Sequence, residues 1–164
     1  MNIIFLDIDG VLNSGRYFSK ISNIKNNFYK DDKHDLNSIE DKVNYHMLDI
    51  NEYNINILKS IIENTNSKVV ITSSWKFMGI FNNIVSRLIG LGIPIIDKTI
   101  DKGINRGEGI LNYVKEHNVN NYIVIDDEIF DDYNDIILSR LVKTSFDDNG
   151  LDEKAKVKAI KLLK

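Results

Sequence analysis

The chain reads as an α/β protein: a Rossmann-like parallel sheet of short buried strands flanked by helices. Three observations predict it. Short, nearly continuous apolar runs such as Ile3-Ile4-Phe5-Leu6 and Val69-Val70-Ile71 suit strands covered on both faces. These runs alternate with segments whose apolar residues recur at helical spacing, the pattern of βαβ units. No internal repeat or low-complexity linker interrupts the series.

In chain order, residues 2 to 8 form the first strand. A segment near residues 14 to 48 carries no motif and reads as an insertion. Ile55, Leu58, Ile61 and Ile62 then fall on one helical face, and residues 68 to 72 make the second strand. Phe81, Ile84, Val85, Leu88 and Ile89 make the next helix, which Gly90, Gly92 and Pro94 stop. Residues 93 to 96 are a strand, Ile110, Leu111 and Val114 a helical face, and residues 121 to 125 a strand again. Residues 139 to 144 add a fifth strand, and Val157, Ile160 and Leu163 close the series with a helix. In such a sheet the ligand site lies at the carboxyl ends of the strands, where Asp7, Thr72 and Asp126 fall.

Composition bounds the rest. With 164 residues, 43% of them apolar, there is material for one ordinary core, so residues 1–164 are expected to form a single domain. No cysteine is present, which removes disulfides and thiolate zinc sites from consideration. No run of eighteen apolar residues exists and the first residues enter a strand directly, so a soluble, cytoplasmic protein without membrane attachment is expected. A net charge of −3 gives no global attraction to nucleic acid; such a partner would need a local basic patch. Nothing identifies a protein partner.

The chemistry starts at Asp7-Ile8-Asp9-Gly10. Residues i and i+2 of a strand share a face, so the two carboxylates leave the strand on one side, about 7 Å apart along it. Such a pair is tolerable if a divalent cation sits between them or if one carboxyl holds a proton, and phosphoryl transfer needs either condition. Further along stand Thr72-Ser73-Ser74-Trp75, then Arg106-Gly107-Glu108 opening a helix, then Asp126-Asp127 directly after an apolar strand.

Taken in this order, the four motifs resemble those of the haloacid dehalogenase (HAD) superfamily of aspartate-nucleophile phosphatases. Within it the chain is most similar to the small HAD domains associated with RNA-repair proteins, which share a strand-Ser-Ser-Trp element and a Gly-Leu start to the last helix, here Gly150-Leu151. The resemblance runs from residue 2 to about residue 163 and implies a HAD-like fold. Nothing between residues 73 and 105 is long enough for a large cap domain.

The resemblance implies the following roles. Asp7 is the candidate nucleophile, forming an aspartyl-phosphate. Asp9 is the candidate general acid and base, a role that asks for a carboxyl able to hold a proton; an acid there points to phosphatases or phosphomutases, and its carbonyl more than its side chain would touch the metal. A mutase would need a cap to keep its intermediate. Thr72, the first polar residue after its strand, offers a hydroxyl and following amides to a phosphoryl oxygen, with Ser73 the alternative one residue on. Arg106 matches the basic residue that neutralises the phosphate and Asp7; Lys102 is its rival. Asp126 and Asp127 are hard oxygen donors suited to Mg²⁺ with retained waters, Asp126 as the direct ligand and Asp127 through water or by holding Arg106. The expected metal set is Asp7, Asp9, Asp126 and Asp127. Trp75 is expected to pack or anchor its loop, and His34, His46 and His117 show no ligand spacing.

Within the insertion, residues 16 to 30 interleave Arg16, Lys20, Lys25 and Lys30 with Tyr17, Phe18, Phe28 and Tyr29, a mixture suited to phosphate contact and base stacking. An amphipathic flap with aromatics on the sheet and solvated charges explains it equally well. The sequence thus leads to a Mg²⁺-dependent phosphomonoesterase, with a polynucleotide 3′-phosphate end as the leading substrate and Ser73, Lys102 and Arg16 as substrate contacts. Nucleotides, other small phosphate esters and a noncatalytic binding module are the alternatives.

Overall fold

A computed structural model describes residues 1–30, 32–101 and 105–164. Five parallel strands, β1 (Asn2–Leu6), β2 (Ser67–Ile71), β3 (Ile95–Lys98), β4 (Asn121–Asp126) and β5 (Leu141–Lys143), form one sheet in the order β3-β2-β1-β4-β5. Between them run α1 (Gly15–Asn27), α2 (Ile39–Met47), α3 (Glu52–Thr65), α4 (Phe81–Gly90), α5 (Arg106–Glu116), α6 (Asp135–Ser139) and α7 (Glu153–Leu163). This is the expected α/β, HAD-like arrangement, without a large cap. Among the described residues no helix is long and apolar enough to cross a membrane.

Alternation along the strands divides the core in two. Ile4, Leu6, Val69, Ile71, Ile123 and Ile125 face α3, α4 and α7, meeting Leu58, Ile61, Ile84, Leu88 and Leu163. Ile3, Phe5, Val70 and Val124 face the other way, onto Ile110, Tyr113 and Ile137 of α5 and α6. Phe5 holds both Tyr113 and Tyr122 edge-to-face at 5.6 and 5.5 Å.

Strand boundaries differ from expectation at places with local causes. β1 ends at Leu6 because the chain curls immediately afterwards, with Leu12 N–H donating to Ile8 O at 2.8 Å. The run from residue 93 starts as a strand only at Ile95, after Pro94, which has no N–H to give a ladder. The fifth strand shortens to Leu141–Lys143 because α6 runs to Ser139.

The insertion is helical. Ser14 starts α1 by accepting from Tyr17 N–H at 3.2 Å, and Ser38 starts α2 by accepting from Asp41 N–H at 3.2 Å; a cap of this kind is worth about 1 kcal/mol. Its aromatic rings pack mainly on one another: Phe28 stacks on His34 at 3.9 Å and lies 5.6 Å from Tyr45. The Lys25 ammonium is taken by Asp49 at 2.5 Å and by the face of Tyr45 at 4.2 Å, which withdraws it from the expected phosphate contacts.

Registration of the sheet positions the site. Leu6 lies level with Ile71 and with Ile125, so Asp7, Thr72 and Asp126 emerge side by side at the carboxyl edge. The curl after β1 is braced from the far end of the chain: Thr144 Oγ1 donates to Gly10 O at 2.7 Å and Leu151 N–H to Val11 O at 2.9 Å. Gly150, at φ +65°, fits there because a Cβ would stand 2.6 Å from Asn13 O.

Candidate active site

Asp7 is 6% exposed at the end of the central strand. Burial pushes its carboxyl up to about 6, against the pull of the Arg106 guanidinium; the Asp126 charge raises it further, and the Ile8 amide and Ser73 hydroxyl draw it back. Arg106, at the first position of α5, sets Nη1 3.1 Å from Asp7 Oδ2 and 2.7 Å from Asp126 Oδ2. Burial works against its charge, but the two carboxylates outweigh burial and hold the guanidinium ionised more firmly than usual. The ring of Phe130 lies 4.2 Å beneath it. Gly107 lets α5 begin here, since a Cβ would stand 2.5 Å from Asp132 O.

Asp126 is fully buried and saturated on one side: Oδ2 accepts from Arg106 and from the Tyr133 hydroxyl at 2.8 Å, and Oδ1 accepts from Glu128 N–H at 3.0 Å. Burial, then the Asp126 charge, raises the Tyr133 phenol well above its ordinary value, so it remains a donor. Arg106 is thus held by Asp126; no ion pair to Asp127 joins it. The Asp127 carboxyl is pushed up to about 6 by burial, with repulsion from Asp126 and Glu128 adding to it.

Carboxylate oxygens of Asp7, Asp126 and Asp127 lie within 4.8 Å of one another. Three hard oxygen donors, two of them held above the usual carboxylate range by burial and by the Asp126 charge, fit a divalent cation of the Mg²⁺ kind. Asp9 places its side chain outside this cluster. Its Oδ1 accepts from Asn13 Nδ2 and its Oδ2 from Trp75 Nε1, both at 2.9 Å.

Thr72 is 1% exposed, and its hydroxyl is buried without a hydrogen-bond partner, as a group kept for a ligand would be. Ser73 is buried as well, its Oγ accepting from Trp75 N–H at 3.4 Å. An open cavity of about 420 Å³ has Asp7, Asp9, Arg106 and Asp127 on its walls, with Ser74 beside them. Glu128, Phe146 and Asp147 line it as well. Arg16 is not in it: exposed, it pairs with Asp148 at 3.4 Å and lines a second cleft of about 460 Å³ with Tyr17, Lys20, Tyr53 and Asn149. Lys102 lies outside the described residues.

Three residues of the site carried no readable signal beyond their spacing. Asn13 reaches back four residues to Asp9, and its Oδ1 also accepts from Gly10 N–H at 2.8 Å. Tyr133 is a lone aromatic in an acidic loop. Lys76, almost fully buried, bonds Thr72 O at 3.1 Å, Thr99 Oγ1 at 3.0 Å and the Asp101 carboxylate, and so joins the loop after β2 to the approach to α5. Burial lowers its ammonium below the usual lysine range, against the support of Asp101.

The geometry agrees with a comparison to known families. A family model described as the HAD domain in Swiss Army Knife RNA repair proteins matches residues 3–155. No curated protein and no solved structure gives a significant match. The matched span takes in β1 from Ile3 onward, the whole of β2 to β5 and every residue of the cluster around Asp7. On that evidence the chain belongs to the HAD domains found in Swiss Army Knife RNA repair proteins.

Proposed function

We propose that this chain is a Mg²⁺-dependent phosphomonoesterase that works through an aspartyl-phosphate on Asp7. The observation that carries the reading is the in-register meeting of Asp7, Thr72 and Asp126 at one sheet edge, with Arg106 of α5 paired to Asp7 and Asp126 and with Asp9 beside them on an open cavity. Asp7 attacks phosphorus, and the leaving oxygen takes a proton from Asp9. Water then attacks the same phosphorus, Asp9 takes its proton, and Asp7 returns to a carboxylate. Arg106 opposes the charge of Asp7 and the phosphoryl oxygens, and the unpartnered Thr72 hydroxyl, with Ser73 beside it, binds one of those oxygens. When bound, Mg²⁺ on Asp7, Asp126 and Asp127, with the Asp9 carbonyl as a further donor, supplies charge neutralisation for the transferring group.

The leading substrate is a polynucleotide 3′-phosphate. The family is one of RNA-repair domains, and the open cavity admits a phosphate on a large molecule. The cleft of Arg16 and Lys20 with Tyr17 and Tyr53 adjoins the same 146–149 loop, a place for the next nucleotide. One observation favours small esters instead: Glu128 and Asp147, which also line the cavity, repel a polyanion. Phosphate release from 3′- and 5′-phosphorylated oligonucleotides, nucleotides and sugar phosphates, with Mg²⁺ or with EDTA, decides between them. No release from any of them in Mg²⁺ would end the enzyme reading in favour of a binding module.

A further inference from the structure

We propose that Trp75 is the positioning residue for Asp9, and that the site uses its indole N–H rather than its bulk. The inference rests on the phosphatase reading and deepens it. Trp75 belongs to the short 3₁₀ turn after β2 (Ser74–Phe77) and is 3% exposed. A buried indole N–H requires an acceptor, and here the acceptor is the one carboxylate that the mechanism needs to aim.

Both oxygens of Asp9 are held by donors without charge. Trp75 Nε1 takes Oδ2 and Asn13 Nδ2 takes Oδ1, so the carboxylate cannot turn without breaking both bonds. Trp75 is itself held at two points: Ser73 Oγ accepts from its backbone N–H, and the His46 ring of α2 meets its indole edge-on at 5.8 Å. Through His46 the clamp reaches into the insertion.

Proton transfer uses an Asp9 lone pair that neither Asn13 nor Trp75 occupies. In the first half-reaction the bond from phosphorus to the leaving oxygen breaks as the bond to Asp7 forms, and the leaving oxygen receives the Asp9 proton. Losing the indole donor lets the carboxyl swing, and an ill-aimed acid matters most when the leaving alcohol is a weak acid. An ester that leaves readily as an anion needs no proton.

The test is kcat/KM, which reports the first phosphoryl transfer, for 2,4-dinitrophenyl phosphate, phenyl phosphate and an alkyl phosphate. Compared are the wild type, Trp75→Phe, and a chain carrying 3-benzothienylalanine at position 75, which keeps the indole's shape and lacks its N–H. Both altered chains are expected to lose about tenfold or more on the alkyl ester and to stay within about twofold on the dinitrophenyl ester. The ratio of two esters on one preparation cancels the fraction of active protein, so partial misfolding cannot mimic the result. Equal loss on all three esters, or no loss with the benzothienyl chain, overturns the role of Trp75. If Asp9→Asn steepens the dependence on leaving group while both Trp75 changes do not, the phosphatase reading stands and this inference falls. A wild type inert toward every ester in Mg²⁺ overturns both.

Discussion

In the proposed reaction Asp7 is under conflicting demands: it attacks as an anion, yet it is buried beside a second carboxylate. Arg106 reconciles part of this, and the remainder leaves the carboxyl at about 6. Asp7→Asn keeps the shape and removes the nucleophile, so phosphate release and acid-stable phosphoprotein are both expected to vanish in a folded protein. Wild-type turnover by that variant would eliminate the covalent route. Asp9→Asn is expected to cost about 10²–10⁴-fold in kcat, the usual worth of positioned proton transfer. Gly10 is a separate case. At φ +69° its Cα faces the Asp127 carboxyl, and a Cβ would stand 2.2 Å from Asp127 Cγ and Oδ2. Gly10→Ala is expected to lose about 1–2 kcal/mol from the left-handed backbone and to weaken Mg²⁺ binding by displacing Asp127. Thermal unfolding and a Mg²⁺ titration measure the two effects separately, and unchanged Mg²⁺ affinity would remove Asp127 from the metal site.

At the scale of elements, the helices and strands of the sheet were legible because burial on both faces demands unbroken Ile and Val. Helices α1 and α2 were not. Each buries one apolar side chain, Ile21 or Val43, so helical periodicity is faint, and only the caps at Ser14 and Ser38 mark their starts. The same limit applied to the site. Asp7, Asp9, Arg106, Asp126 and Asp127 announce themselves as charges at strand and helix ends, whereas the Trp75 and Lys76 contacts cross between elements and leave no periodic trace. The cations of α1 also divide only in three dimensions. Lys25 is occupied by Asp49, while Arg16 and Lys20, one helical turn apart, share a face along the second cleft. Arg16→Ala with Lys20→Ala is therefore expected to raise KM several-fold for a 3′-phosphorylated oligonucleotide and to leave p-nitrophenyl phosphate unaffected. Added salt is expected to shrink the difference. Equal loss with both substrates would make α1 a support for the fold, and no loss with either would return the substrate to small esters.

For the whole molecule, the acidic cluster ties stability to pH and to metal. Asp7 and Asp127 go from the usual 3.8 to about 6 in the metal-free fold. Between those values the unfolded chain has released protons that the folded chain still holds, so stability falls as pH rises through the window and levels off above it. Mg²⁺ requires both carboxyls ionised and acts in the opposite sense. The rise in Tm on adding Mg²⁺ is thus expected to grow from about pH 4 to pH 6 and then hold, while EDTA at neutral pH stops phosphate release. A Tm increment that ignores pH would place the cation elsewhere.

The insertion leaves and rejoins the sheet layer at nearly one point, since Asn51 N–H donates to Leu12 O at 2.8 Å. To the rest of the chain, everything between these residues is a closed loop on a short stem. Its length has little bearing on where β1 ends or where α3 begins, because the cost of closing a loop grows only slowly with its size. The stem makes the segment exchangeable: one scaffold could accept inserts of different reach without rebuilding its strands. Its tethers to the chemistry include His46 against Trp75 and, at Phe146 on the cavity wall, the Phe18 ring and the Gly15 N–H. A chain whose residues 15–48 are replaced by a short linker is therefore expected to retain the parallel sheet by circular dichroism and amide exchange. It is expected to lose, along with α1 and α2, its grip on large substrates and part of its command of poor leaving groups.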